Sequence, residues 1–206
     1  MPRATRMPSD LEIQAFWAWF AGSAARLAAE LEDRALLAEL DARVSALGEV
    51  AWEVGPGEGD LLSLVISPDG VRDRLPATRH IIAHAPAIPG WELHPARPPK
   101  TWDLRFAIEH ADGAVAHFDA RPWRYALHRF PDWSFDLVVE QPYVPADEVS
   151  ELAAAIVVDG VLGEAARLEL IADIEPVHAL PPALVKKATP IVHLGDHIRS
   201  LVRATS

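Results

Sequence analysis

Cysteine is missing from all 206 residues of the chain, and its absence excludes several kinds of site. Disulfides, thiolate zinc sites, iron–sulfur clusters and cysteine nucleophiles all need that side chain. Any metal must therefore bind through His, Asp or Glu. The sequence also has no apolar run of the roughly 20 residues that a transmembrane helix needs, and its first residues lack the apolar core of a secretory signal. The lack of a transmembrane run and of a secretory signal predicts a soluble, cytoplasmic protein with no membrane partner.

Three sequence motifs of nucleotide and acyl-transfer chemistry are missing as well. The chain has no P-loop, no G-x-G-x-x-G turn and no G-x-S-x-G nucleophile elbow. The glycine-rich segment at 55–60, GPGEGD, contains Glu58 and Asp60, whose negative charges would repel a phosphate. The sequence therefore predicts no cofactor.

Positive charge is scarce, and the net charge at pH 7 is -11. Residues 10–60 and 132–206 are strongly acidic, whereas residues 61–131 carry 9 basic and 7 acidic groups. Nucleic-acid binding depends on many phosphate contacts from clustered Lys and Arg, so we predict no nucleic-acid partner. The middle third is the only place where a smaller anion would meet a favourable field.

Hydrophobic spacing in the first half predicts two helices followed by a sheet. Ser9 and Glu12 fit a capping box in front of apolar residues that recur three and four apart, and Gly48 is suited to ending the second helix. Beyond it, apolar and polar residues alternate as in strands. The predicted elements are helices over 9–31 and 36–47, strands over 50–54 and 61–66, a helix over 71–86 and a strand over 91–93.

From residue 102 onward the alternation predicts an antiparallel meander of four strands up to residue 139. Its inward positions are Trp102, Phe106, Tyr125, Phe135 and Leu137. A helix from 145 or 146 to 162, a strand over 166–174 and a helix starting at 181 or 182 would follow. This order predicts one α+β domain over 1–206, with helices on one face of a mainly antiparallel sheet, and it indicates two related β-β-α halves.

Three segments are similar to those of a known protein family. They are FWAWF at 16–20, LVISPDG at 64–70 and AHAPAIPGWELHPARPPK at 83–100. Together they resemble a family of uncharacterised bacterial cytoplasmic α+β proteins, which also ends in a helix and strand like those at 157–177. The resemblance spans about residues 10–178. It implies a bacterial origin and a domain that fills the chain, and it leaves the activity open.

Two histidine pairs have the spacing of metal ligands on a helix, His193 with His197 and His80 with His84. Catalytic zinc sites use three protein ligands, and neither pair supplies a third at helical spacing. We therefore predict no tightly held structural metal. A metal-assisted hydrolase that uses His193 and His197 is the alternative function.

The polar face of the predicted meander offers the main candidate binding site. A mixed set of charges on a strand face is usually a solvated surface with cross-strand ion pairs. The functional alternative is a shallow anion or peptide site, because guanidinium groups bind anions through paired hydrogen bonds. The candidate residues for that site are Arg97, Lys100, Arg105, Arg124 and His128.

Trp17 and Trp19 cannot both face inward on one helix, because residues two apart differ by about 200°. Trp19 lies opposite the apolar stripe, which predicts that its indole contacts a protein partner or a second copy of the chain. The alternative is that Trp19 packs under the Pro-rich segment at 95–99 of its own chain. The sequence as a whole predicts a non-catalytic binding or protein-interaction module.

Overall fold

A computed structural model describes residues 6–109, 113–142, 144 and 148–203 of the chain. The chain divides into two compact units, Met1–Arg97 and Pro98–Ser206. Each unit has its own cluster of buried apolar side chains. The sequence predicts a single domain over 1–206, and its hydrophobic periodicity does not mark this division.

The first unit begins with the predicted helical pair, α1 (Asp10–Ala29) and α2 (Arg34–Leu47). The capping box before α1 is confirmed, because the Ser9 side chain accepts from the Glu12 backbone N–H and the Glu12 carboxylate accepts from the Ser9 backbone N–H. The elements that follow are β1 (Ala51–Pro56), β2 (Leu62–Ser67), α3 (Leu75–Ala83) and β3 (Trp91–His94).

These strands form one sheet in the order β1-β2-β3. Strand β2 pairs antiparallel with β1 and parallel with β3, and α3 lies in the connection between the two parallel strands. The apolar stripes of α1 and α2 form a core with the sheet, in which Phe20, Leu27, Leu40 and Leu64 are fully buried. The helical pair therefore buries its apolar face as the 3.6-residue spacing requires.

The second unit contains more strands than the first, in two separate sheets. Its elements are β4 (Arg105–Glu109), β5 (Val115–Asp119), β6 (Arg124–Arg129), β7 (Phe135–Glu140), α4 (Glu148–Leu162), α5 (Glu164–Leu170), β8 (Ile171–Val177), α6 (Pro182–Val185), β9 (Thr189–Pro190) and α7 (Leu194–Arg203). The smaller sheet is the β4-β5 hairpin, and the larger has the order β8-β7-β6-β9. Tyr125, Phe135 and Leu137 are buried in this unit as predicted, and Trp102 and Phe106 are partly buried against the same core.

The continuous four-strand meander is wrong, because its two hairpins belong to different sheets. Trp102 precedes β4, and Leu104 has a positive φ of 60°, which interrupts the extended backbone before the strand begins. Trp133 likewise has a φ of 66° and lies in the turn before β7. A residue with positive φ cannot continue a strand. Both strands therefore begin later than the alternation of apolar and polar side chains predicts.

The predicted strand over 166–174 is also wrong in its first half, since residues 164–170 form α5 and the strand runs from Ile171 to Val177. Glu164 and Leu168 are both buried, and their four-residue spacing is that of one helical face. A short apolar run fits either structure, and here the tertiary packing selects the helix. The predicted start of the preceding helix, at 145 or 146, lies outside the described residues.

Both units contain the same run of elements, a hairpin followed by a helical connection and a strand, as the sequence indicates. The β1-β2 and β6-β7 hairpins each pair six residues with six, across the five residues at 57–61 and 130–134. In each unit a helical connection then leads to a strand that lies parallel to the second strand of the hairpin. The fold is therefore α+β with a β-β-α-β unit in each half. None of the helices in the described part of the chain is long and apolar enough to cross a membrane.

Candidate functional site

The five predicted binding residues lie in different elements of the fold. Arg97 belongs to the first unit, and the other four belong to the second. Within the second unit, Arg105 lies on the β4-β5 hairpin, whereas Arg124 and His128 lie on β6 of the larger sheet. The two sheets have no strand pairing between them, so the strand alternation across one meander, from which a shared polar face is predicted, does not apply to Arg105 and Arg124 together.

Two of these arginines hold carboxylates of their own unit. Arg97 forms a close ion pair with Glu53 and lies 3.6 Å from Asp69. The Arg124 Nε donates to the Glu140 Oε2 at 2.6 Å, and the backbone N–H of Leu180 donates to the other oxygen of Glu140 at 3.1 Å. The hydrogen bond from Arg124 is the main reason that the pKa of Glu140 is lowered. Both arginines therefore have structural partners.

His128 and Lys100 are both exposed. The His128 ring packs edge to face against Phe130, with the ring centroids 4.8 Å apart. Lys100 is exposed, and its backbone N–H donates to the carbonyl of Gly160 at 2.7 Å, which ties the segment before β4 to α4. This hydrogen bond fixes the backbone of Lys100, whereas its side chain is exposed to solvent.

Arg105 lines a cavity. This cavity is shallow, has a volume of about 400 Å³ and lies on the β4-β5 hairpin. The antiparallel register places Arg105 opposite Asp119 and Phe106 opposite Phe118. The lining side chains are Arg105, Phe106, His117, Phe118 and Asp119. We call the cavity that these five residues line the hairpin cavity.

The charges in the hairpin cavity are unequally paired. The Arg121 Nε donates to the two carboxylate oxygens of Asp119 at 2.8 and 3.1 Å, and this contact lowers the pKa of Asp119 well below its usual range. The Arg105 guanidinium reaches Asp119 only at 3.7 Å and Asp103 only at 3.9 Å. In the described part of the second unit, these long ion pairs are the charge contacts of the Arg105 side chain, which is 54% exposed.

Sequence reasoning selects Arg105 but misses His117 and Asp119. The signal for both residues is the register of the hairpin. Once the turn at 113 is placed, Asp119 must lie opposite Arg105. His117, two residues before Asp119, then lies on the same face. The competition between Arg121 and Arg105 for one carboxylate has no sequence signal, since it depends on how the chain leaves β5.

His193 and His197 lie in adjoining elements, His193 in a 3-10 turn and His197 in α7. The Nδ1 of His197 is 2.7 Å from the hydroxyl of Tyr125. Burial raises the pKa of Tyr125 to about 12, so the phenol keeps its proton at neutral pH. A phenol can donate or accept, so the direction of this hydrogen bond follows the tautomer of His197. Within the described residues, no third His, Asp or Glu joins this pair at ligand distance.

The other histidine pair has a different environment. His80 and His84 lie at the end of α3, where Asp10, the first residue of α1, joins them. The three side chains offer one ligand atom each, and these atoms lie within 4.8 Å of one another. The sequence pairs His80 with His84 but gives no sign of Asp10, which is 70 positions away.

The indole of Trp19 is half-buried within the first unit. It lies 6.3 Å from the ring centroids of Phe16 and Phe20, and the Arg43 guanidinium lies over it at 4.7 Å. Trp17 is the inward-facing residue, since it is buried and its indole N–H donates to the carbonyl of Ile81 at 2.8 Å. Contact between Trp19 and a partner stays a prediction, and an arginine of its own unit already covers one face of the ring.

A scan against protein-family models and searches of curated proteins and of solved structures found no match to the chain. The resemblance to the bacterial α+β family, which depends on the FWAWF, ISPDG and APAIPGWE segments, therefore remains a hypothesis. The function has to be argued from the side chains at each candidate site.

Proposed function

We propose that the protein is a non-catalytic binding module that takes a carboxylate group in the hairpin cavity. The observation that carries this proposal is the loosely paired guanidinium of Arg105. Asp119 is engaged by Arg121, so Arg105 keeps donors that can face an incoming anion. A guanidinium binds a carboxylate through two parallel hydrogen bonds, which fixes the orientation of the ligand as well as holding it.

The walls of the hairpin cavity supply the rest of the ligand's surroundings. The rings of Phe106 and Phe118 are stacked with their centroids 5.0 Å apart and provide an apolar side. His117 is exposed on the neighbouring strand and adds a polar contact. An apolar chain that ends in a carboxylate satisfies both sides. The cavity is shallow, which favours an acidic side chain presented by a protein partner over an enclosed small molecule.

The alternative function is metal-assisted hydrolysis at His193 and His197. It has less support, because within the described residues no third His, Asp or Glu joins this pair at ligand distance. The binding function needs no further ligand, since the exposed side chain of Arg105 lines the hairpin cavity.

The proposal can be tested by titrating the full chain with two short peptides and following backbone amide shifts by NMR. One peptide carries a glutamate between two leucines, and the other carries glutamine in its place. We expect the glutamate peptide to shift the amides of the β4-β5 hairpin and the glutamine peptide not to do so. Free glutarate forms a third arm: if it shifts the same amides as strongly as the peptide, the ligand is a small acid rather than a protein side chain.

Two matched variants locate the site. Arg105→Gln should weaken the binding of the glutamate peptide at least about tenfold, because a hydrogen bond to a charged group contributes about 1.5–3 kcal/mol. Arg199→Gln removes the same charge from α7, where Arg199 pairs with Asp196, and should leave the affinity unchanged. Equal losses in the two variants, or no amide shifts with any carboxylate, would reject the proposal.

A further inference from the structure

A second cluster of polar side chains lies in the first unit, and the proposed function does not use it. Asp10 begins α1, and His80 and His84 lie in the last turn and at the C-terminal cap of α3. Among the residues that the structure describes, this is the one trio of His, Asp or Glu side chains whose ligand atoms all lie within 4.8 Å of one another.

Local structure leaves all three side chains available. The N-terminus of α1 is capped by Ser9 and Glu12, so the Asp10 carboxylate is not needed for capping. His80 and His84 are four residues apart, which places them on one side of α3. Their rings meet edge to face with the centroids 4.5 Å apart.

A hydrogen bond sets the direction of His84. Its Nδ1 lies 2.8 Å from the backbone carbonyl oxygen of His80. A carbonyl oxygen only accepts, so Nδ1 carries the hydrogen, and in the neutral ring the lone pair is on Nε2. A hydrogen bond from the non-ligating nitrogen to a carbonyl is the usual support for a histidine that binds metal.

The distance between the other two ligand atoms fits a metal ion. The Nε2 of His80 lies 3.3 Å from the Oδ1 of Asp10. Zinc holds nitrogen and oxygen ligands at about 2.0–2.2 Å, and a tetrahedral angle then separates two ligands by about 3.4 Å. An ion pair between His80 and Asp10 accounts for this contact alone, whereas the third ligand atom, on His84, also lies within 4.8 Å of both.

We propose that Asp10, His80 and His84 form a binding site for one zinc ion. Two imidazoles and one carboxylate suit zinc, whereas magnesium and calcium prefer oxygen ligands. Three protein ligands leave a fourth coordination position open. Asp10 and His84 are exposed, so this position faces solvent, and a bound ion links the start of α1 to the end of α3.

The test uses the full chain without an affinity tag, stripped of metal and titrated with zinc against a chromogenic chelator. We expect one zinc ion per chain. His84→Gln and Asp10→Asn should each lower the zinc affinity at least about tenfold, since even residues that only support a ligand change affinity 10- to 100-fold. His193→Gln removes a histidine from the other pair and should leave the affinity unchanged.

Cobalt provides a readout that a change in folding would not imitate. Co²⁺ in a four-coordinate site with nitrogen and oxygen ligands gives visible absorption bands, which should appear in the unaltered chain and be lost in Asp10→Asn. Circular dichroism checks that the variants keep their helices, and Asp10→Asn decides the matter if His84→Gln does not fold.

Three results would overturn the zinc site: no zinc bound at equimolar metal, equal weakening by His193→Gln, or full zinc affinity in Asp10→Asn. Arg105→Gln should bind zinc normally, so failure of the carboxylate site and failure of the zinc site are separate results.

Discussion

At the scale of single residues, Gly160 on α4 packs closely against the ring of Trp102. A Cβ at Gly160 would lie 2.6 Å from Cζ2 and 3.0 Å from Cε2 of the Trp102 ring. The Trp102 indole nitrogen is buried and has no hydrogen-bond partner in the described part of the chain, so the ring is held there by packing. We expect Gly160→Ala to destabilise the second unit by about 1–3 kcal/mol, as overpacking of a core does. Urea unfolding followed by circular dichroism measures this loss.

A matched glycine lies on α1 and serves as the control. A Cβ at Gly22 would have no neighbour within 4 Å. Gly22→Ala should therefore stabilise the chain by up to about 1 kcal/mol, through helix propensity alone. A stable Gly160→Ala variant would mean that Trp102 moves aside at little cost.

Tyr125 gives the chain a pH-dependent contribution to stability in alkali. Burial raises the pKa of Tyr125 from 10.0 to about 12, and a hydrogen bond to Thr189 opposes this shift. The unfolded chain ionises first, so the contribution is complete below pH 10 and is lost as the pH rises from 10 to 12.

A variant with one tyrosine tests this pH dependence. The chain has two tyrosines, so in Tyr143→Phe the phenolate absorbance reports on Tyr125 alone. We expect a midpoint near pH 12 in the folded chain and near 10 in urea. A folded midpoint near 10 would show that the hydroxyl is exposed to solvent.

At the scale of elements, strand β7 provides a direct test of register. Val139 is fully buried, whereas its neighbour Val138 points to the opposite face and is only partly buried. Val139→Ala should cost about 2–3 kcal/mol, because it removes buried methyl groups and leaves a cavity. Val138→Ala should cost less than about 1 kcal/mol. The reverse order would mean that the register is displaced by one residue, which moves every side chain to the other face.

The elements differ in how well local sequence predicts them. Helix α1 is long, strongly periodic and capped by Ser9, so its start is confirmed to within a residue. Helix α5 is short, and its apolar residues fit a helix or a strand equally well, so the packing of Leu168 decides between them. Strand β4 begins later than predicted because of the positive φ at Leu104, which side-chain alternation does not reveal.

At the scale of the whole molecule, the two candidate sites lie in different units. The proposed zinc ligands belong to the first unit, and the hairpin cavity belongs to the second. Each unit contains a β-β-α-β run, and each adds further elements that the other unit lacks. The first unit adds the helical pair that brings Asp10, and the second adds the β4-β5 hairpin that carries Arg105.

The sequence alone determined the α+β class, the capped helical pair and the three hairpins, because periodicity, caps and turns are local signals. Arg105 and the pair of His80 and His84 are also visible in it. Only the tertiary structure decided that the predicted meander divides into two sheets, that Arg121 and not Arg105 forms the close hydrogen bonds to Asp119, and that the Asp10 carboxylate lies beside the two histidines. Each of these depends on contacts between residues distant in sequence or on a change of backbone direction, and neither leaves a periodic pattern in the amino-acid sequence.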